Sequence, residues 1–162
     1  MRLADEKIEA LYSSPLQRTR ETAEILSERL GLPISYREDV IELDYAEWTG
    51  LTFDAIRNDA RWQLWREHRS IATIPGGESW RQVQDRIVDA LFDLRRIHPD
   101  GTLLIVSHGD VIRAALLFAL GMPLDFYSRI EIAPASISTI RLDEAAIRVL
   151  ALNEWPRLLI RD

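Results

Sequence analysis

Arg18 and His108 stand where short apolar segments give way to helix patterns, and together they could bind an anion. Arg18 lies one turn into the predicted helix after IEALYSS, and His108 directly precedes the apolar run GDVIRAALLFALG. Free N–H groups at a helix N-terminus favour anions. A guanidinium adds a planar fork of donors, and an imidazole adds a donor that is charged near neutral pH. Placed at neighbouring strand ends, these groups predict a phosphate- or carboxylate-binding pocket.

The first element that must position them is a strand-to-helix unit. A strand is predicted from Ile8 to Tyr12, followed by a helix that starts after two serines. Ser14 is the expected N-cap, with Pro15 at the first helical position and Gln17 completing a capping box. Gly31 is the expected stop.

The rest of the chain continues to alternate strands with helices. We expect a strand over 34–43 and then helical spacing over 53–69, with Trp62 and Trp65 as packing residues. A helix over 80–98 follows, capped by Glu78 and Ser79, and then a strand over 103–106. The chain continues with a helix after His108, capped by Asp110, and a hairpin made of SISTIRL and IRVLALN. This order predicts an α/β domain of three layers, α/β/α, in which ligands bind at the carboxyl ends of the parallel strands.

Composition limits the classes of function. The chain has 162 residues, which suits one domain over residues 1–162, and its net charge of −6 argues against a nucleic-acid partner. It contains no cysteine, so it has no disulfide, thiolate nucleophile or cysteine metal site. Because there is neither a leader pattern nor a long apolar run, we expect a cytoplasmic protein that does not enter a membrane.

Four motifs in order resemble the histidine phosphatase superfamily, also called phosphoglycerate mutase-like. They are SSPLQRTRETA at 13–23, IELDYAEWTGL at 41–51, PGGES at 75–79 and VSHGDVIR at 106–113. The resemblance covers nearly the whole chain. It implies the phosphoglycerate mutase-like fold, with residues 53–80 forming a cap over the pocket.

The resemblance also implies roles for four residues. Arg18 and His108 match the second arginine and second histidine that bind the phosphoryl group, and Gly109 follows His108 in the same motif, so all three are expected to bind phosphate. Glu42 matches the acid that protonates the leaving oxygen. Glu42 and His108 are therefore the expected catalytic residues, with a small phosphorylated substrate or inorganic phosphate as the ligand and no metal or other cofactor.

The chain departs from the family pattern in one large respect and one small one. In the resembling family a histidine in an Arg-His-Gly triplet attacks the phosphoryl group, whereas His68, His98 and His108 here lie outside any such triplet. We expect the central strand that carries this triplet to be missing, leaving exposed sheet edges through which the chain forms a homo-oligomer. Ala46 stands where the family usually has glycine.

These features predict a metal-independent phosphatase for small phosphate monoesters, truncated and weakly active or inactive as given. One alternative is a non-catalytic protein that binds a phosphorylated ligand or a partner. A phosphoglycerate mutase is a further alternative, which a short chain with a small cap disfavours.

Overall fold

The computed structural model describes residue 3, residues 6–144 and residues 146–155, so both ends of the predicted domain lie outside the described residues. Its main sheet contains three parallel strands: β1 (Ile8–Ser13), β2 (Ile34–Tyr36) and β3 (Thr102–Val106). Their order is β2-β1-β3, with β1 in the middle. The carboxyl ends of β1 and β3 are therefore neighbours.

Five α-helices accompany the strands in the described part of the chain: α1 (Gln17–Leu30), α2 (Phe53–Ile56), α3 (Ala60–Glu67), α4 (Trp80–Ile97) and α5 (Gly109–Ala119). Helix α1 packs on all three strands, and α4 packs against α5. The steps from β1 to β2 and from β2 to β3 run in opposite directions along the sheet. Right-handed crossovers then place α1 and α4 on opposite faces. The predicted α/β architecture is confirmed.

Two predicted boundaries are wrong. Helix α1 begins at Gln17 with Leu16 in the N-cap position and no side-chain cap. The Ser14 hydroxyl, two residues before that position, accepts from the Leu16 N–H at 3.4 Å and bonds His108 Nε2 at 2.7 Å. Strand β2 ends at Tyr36 instead of residue 43, since the chain turns into a short 3₁₀ helix at Glu38–Val40. The predicted stop of α1 is confirmed, with Gly31 at φ 68° in the left-handed region.

The C-terminal hairpin forms a separate sheet. Strands β4 (Ile137–Leu142) and β5 (Ile147–Glu154) pair antiparallel, as predicted. Within the described part of the chain, no strand pairs with the second edge of β3. Even so, Ile140 and Val149 of the hairpin pack against the same core as Ile105 of β3. One core therefore carries two sheets that share no ladder of hydrogen bonds.

Residues 53–80 build an aromatic layer around α2 and α3. Trp48, Trp62 and Trp65 contact one another with ring centroids 5.2–5.8 Å apart, which confirms Trp62 and Trp65 as packing residues. Arg69 is 4% exposed and stacks on Trp65 with its guanidinium carbon 3.1 Å from the ring centroid. An apolar pocket of about 280 Å³ lies between this cluster and Phe53.

Candidate active site

The parallel register brings the two predicted anion-binding residues together. Ser13 of β1 is paired with Val106 of β3, so Ser14 and His108 leave the sheet side by side. Arg18, in the first turn of α1, donates from Nε to His108 Nδ1 at 3.2 Å. The prediction that Arg18 and His108 lie at neighbouring strand ends is confirmed.

His108 is buried and held at both ring nitrogens. Its Nε2 lies 2.7 Å from Ser14 Oγ. Because a guanidinium can only donate, Nδ1 accepts from Arg18, and the ring proton lies on Nε2 and is donated to Ser14. Burial, reinforced by the charges of Arg18 and Arg86, lowers the pKa of His108 to about 4. The ring is therefore neutral near pH 7.

Glu42, on the loop after β2, lies next to Arg18 and His108. Its Oε2 lies 3.6 Å from Arg18 Nη2 and 3.8 Å from His108 Nδ1, and its Oε1 accepts from the Leu43 N–H. Burial and the charge of Asp110 raise the pKa of Glu42, against the opposing effects of Leu43 N–H, Arg18 and Arg86. A carboxyl group with a raised pKa is suited to donating a proton near neutral pH.

The loop that carries Glu42 is anchored to the sheet and to α4. Ser107 Oγ donates to the Val40 carbonyl at 2.7 Å, and Arg86 Nη1 donates to the Asp39 carbonyl at 3.0 Å. Arg86 also binds both carboxylate oxygens of Glu78, at 2.8 and 3.0 Å. These bonds fix the backbone on the N-terminal side of Glu42.

The PGGES segment holds the other side of the loop. Glu78 Oε2 accepts from the Asp44 N–H, and the Glu78 N–H donates to the Asp44 carbonyl, both at 3.1 Å. A side chain at Gly77 would overlap that carbonyl oxygen, so glycine is required for this close approach. Ser79 caps α4 through a capping box with Gln82, as predicted. Glu78 does not cap the helix but fastens the Glu42 loop.

Ala46 adopts φ 35°, in the left-handed region that glycine favours. The substitution of alanine for the family's usual glycine therefore leaves strain in the backbone four residues after Glu42. The surrounding contacts of Tyr45 and Asp44 hold this conformation in place.

The last predicted site residue, Gly109, begins α5. It lies next to His108, and a side chain there would meet only Arg113, at 3.9 Å. Asp110 does not cap the helix, because its two carboxylate oxygens bind Tyr45 and Arg113. A shallow depression of about 530 Å³, lined by Leu16, Gln17, Arg18 and Glu21, opens beside Arg18.

Two further observations concern membrane-spanning helices and metal sites among the described residues. None of the helices in residues 6–144 and 146–155 combines the length and apolar character that a membrane crossing requires. Over the same residues, no three histidine or carboxylate side chains are grouped closely enough to hold a metal ion.

Comparison with known proteins places this chain in a family. The family model described as "Histidine phosphatase superfamily (branch 1)" matches residues 1–154. Phosphoserine phosphatase 1 of Hydrogenobacter thermophilus is 30% identical over 153 residues, which are 93% of this chain and 72% of that protein. Several mycobacterial relatives are matched over only 39% of their own length.

Solved structures share the fold. Bacillus stearothermophilus YhfR superposes with a TM-score of 0.89 at 26% identity, covering 96% of this chain and 78% of that one. The mycobacterial glucosyl-3-phosphoglycerate phosphatase Rv2419c gives a TM-score of 0.80 at 27% identity, covering 94% and 80%. With the family model matching most of its length, the chain belongs to the histidine phosphatase superfamily.

Proposed function

We propose that this protein is a metal-independent phosphatase that acts on small phosphate monoesters. The observation that carries the proposal is the meeting of Arg18, His108 and Glu42 within 4 Å of one another at the carboxyl ends of β1 and β3. Two proteins to which the chain is similar are named for phosphatase activity on phosphoserine and on glucosyl-3-phosphoglycerate.

Each group has a role that its environment supports. The Arg18 side chain is 60% exposed, so its guanidinium can exchange its contacts with His108 and Glu42 for the oxygens of an arriving phosphate. The Gly109 N–H then donates to the phosphoryl group, and His108 Nδ1, which Arg18 has released, accepts from a protonated phosphate oxygen. Glu42 then protonates the leaving alkoxide. Residues 53–80 cover the pocket as a cap on this single domain.

The rate of this reaction is expected to be low. Covalent catalysis requires a histidine that attacks the phosphorus in addition to the groups that bind the phosphoryl oxygens. His108 is one of the binding groups, and His68 and His98, which follow α3 and α4, are not among the residues that meet Arg18 and Glu42. Direct attack by water, assisted by Glu42, is the reaction that these residues support. The same arrangement of His108 favours a second candidate function, the binding of a phosphorylated ligand without turnover.

Anion binding tests the proposed pocket. Arg18→Ala is expected to weaken inorganic phosphate or vanadate binding by roughly 10- to 100-fold, since hydrogen bonds to charged groups contribute about 1.5–3 kcal/mol. Isothermal titration calorimetry measures the affinity. Arg20→Ala is the matched control, because Arg20 lies on the same helix with its guanidinium over Tyr36. Equal anion affinity in the parent and Arg18→Ala proteins contradicts the pocket.

We also propose that the chain self-associates through its sheet edges. Among the described residues no strand pairs with the second edge of β3, and Leu103, Leu104 and Ile105 are only partly buried. Sedimentation velocity over a range of concentrations is expected to show species larger than the monomer. A monomer at every concentration contradicts this proposal without affecting the phosphatase site.

A further inference from the structure

Tyr45 links the loop of Glu42 to the helix that begins beside His108. Its hydroxyl donates to Asp110 Oδ2 at 2.7 Å, across 65 residues of sequence. We propose that Tyr45 and Asp110 form a latch that positions Glu42 at the pocket. The inference deepens the proposed function and rests on it, because it concerns Glu42 as the proton donor.

Asp110 is a fixed acceptor for this bond. Its other carboxylate oxygen, Oδ1, accepts from Arg113 Nη1 at 2.8 Å, and Arg113 Nε in turn donates to the Ile130 carbonyl at 2.9 Å. The carboxylate is therefore held from both sides. A hydrogen bond to an ionised acceptor is stronger than a neutral one, so the latch has a rigid end on α5.

Tyr45 is held equally well on the loop side. Its ring is half-buried and packs edge-on against Trp65, with the centroids 5.7 Å apart. Burial and the negative charge of Asp110 raise the pKa of Tyr45, so the phenol stays protonated and remains a donor. Ala46, with its unfavourable φ, follows directly. The latch thus fastens the loop on its C-terminal side, next to the bonds between Asp44 and Glu78.

The latch also places a charge near Glu42. Asp110 faces Glu42 from α5, while Arg18 faces it from α1 and Arg86 from α4, and the neutral His108 lies 3.8 Å away. Among these groups Asp110 is the one that raises the pKa of Glu42. The latch therefore acts on Glu42 in two ways that can be separated: the bond from Tyr45 fixes the position of the loop, and the charge of Asp110 raises the pKa of Glu42.

Two variants separate the effect of the loop position from the effect of the Asp110 charge. Tyr45→Phe removes the bond and leaves the Asp110 charge, whereas Asp110→Asn removes the charge and leaves a hydrogen-bonding partner for Tyr45. Tyr36→Phe, at the exposed end of β2, is the control for loss of a phenol. The measurements are the Glu42 pKa by carbon-13 NMR of glutamate-labelled protein, amide exchange over residues 41–48, and p-nitrophenyl phosphate turnover.

We expect Tyr45→Phe to speed amide exchange over 41–48. It should also lower the Glu42 pKa, because a loosened loop lessens the burial that is the main cause of the raised value. Turnover should fall by 10- to 100-fold, since small displacements of a catalytic group have effects of this size. Asp110→Asn is expected to lower the Glu42 pKa without faster loop exchange. Tyr36→Phe should match the parent in all three measurements.

The failures of the two proposals are distinguishable. If the loop exchange and Glu42 pKa of Tyr45→Phe equal those of the parent, the latch is overturned, whatever the protein's activity. If the parent neither binds phosphate nor hydrolyses the ester, while Tyr45→Phe still changes exchange and pKa, the proposed function fails and the latch stands as the anchor of this loop.

Discussion

Glu42→Gln is expected to reduce the turnover of p-nitrophenyl phosphate by at least about 10²-fold, because positioned general acids typically contribute about 10²–10⁴-fold. The amide keeps the size of the side chain and its contact with the Leu43 N–H but cannot protonate the leaving oxygen. Initial rates at saturating substrate measure the change. Glu24→Gln, on the exposed side of α1, is the charge-matched control.

The same assay tests whether His108 acts as a nucleophile. We expect no phosphohistidine when the reaction is quenched, because His108 binds the phosphoryl group and no second histidine meets Arg18 and Glu42 among the described residues. Fast turnover that is lost in His108→Ala, together with a phosphorylated His108 in the parent, would contradict direct hydrolysis by water. It would make His108 the nucleophile and leave Glu42 as its acid.

Acid is expected to destabilise the fold through His108. Its pKa is about 4 in the folded protein, below its ordinary value of 6.5, so the unfolded chain binds the proton first as pH falls. The stability is intact above pH 6.5 and is lost progressively toward pH 4. At 1.36 kcal/mol per pKa unit the loss from this group is about 3 kcal/mol. The raised pKa of Glu42 acts in the opposite direction as pH falls.

Urea unfolding at pH 7 and pH 4.5 measures this dependence. His108→Gln should lower the free energy of unfolding at pH 7, since Ser14 and Arg18 lose a well-placed partner, but it should show a shallower fall on acidification than the parent. His68→Gln, at the exposed end of α3, controls for removal of a histidine. An equally steep fall in His108→Gln and the parent is the outcome that rules out His108 as the source.

Local patterns were enough to predict where Arg18 and His108 lie, because strand-to-helix transitions at both residues imply neighbouring strand ends in a parallel sheet. The role of Glu42 is predicted only by the resemblance to the histidine phosphatase family, since an acidic residue before a turn has no distinctive local signal. A serine before a proline predicts a helix cap at Ser14, but the helix begins three residues later. The Ser14 hydroxyl bonds a residue 94 positions away, which local periodicity cannot reveal.

The supports of Glu42 escaped prediction for the same physical reason. The bonds of Tyr45 to Asp110 and of Arg86 to the Asp39 carbonyl join elements that are far apart in the chain. Glu78 and Arg86 are only eight residues apart in the chain, but an acidic residue and an arginine at this spacing are common, so the pair is no distinctive signal. For Gly77 the motif PGGES was a usable signal, because paired glycines often mark close backbone approach.

The separation of the two sheets means that no backbone ladder joins the described strands of the hairpin to those that carry the pocket. Beyond packing against the shared core, the hairpin is tied to the rest by bonds such as Arg95 Nε to the Leu142 carbonyl, at 3.1 Å. Strand β1, by contrast, is bonded on both sides by β2 and β3. Local opening follows such cooperative units. We therefore expect the hairpin amides to exchange with solvent faster than those of β1, whose end lies beside Arg18 and His108.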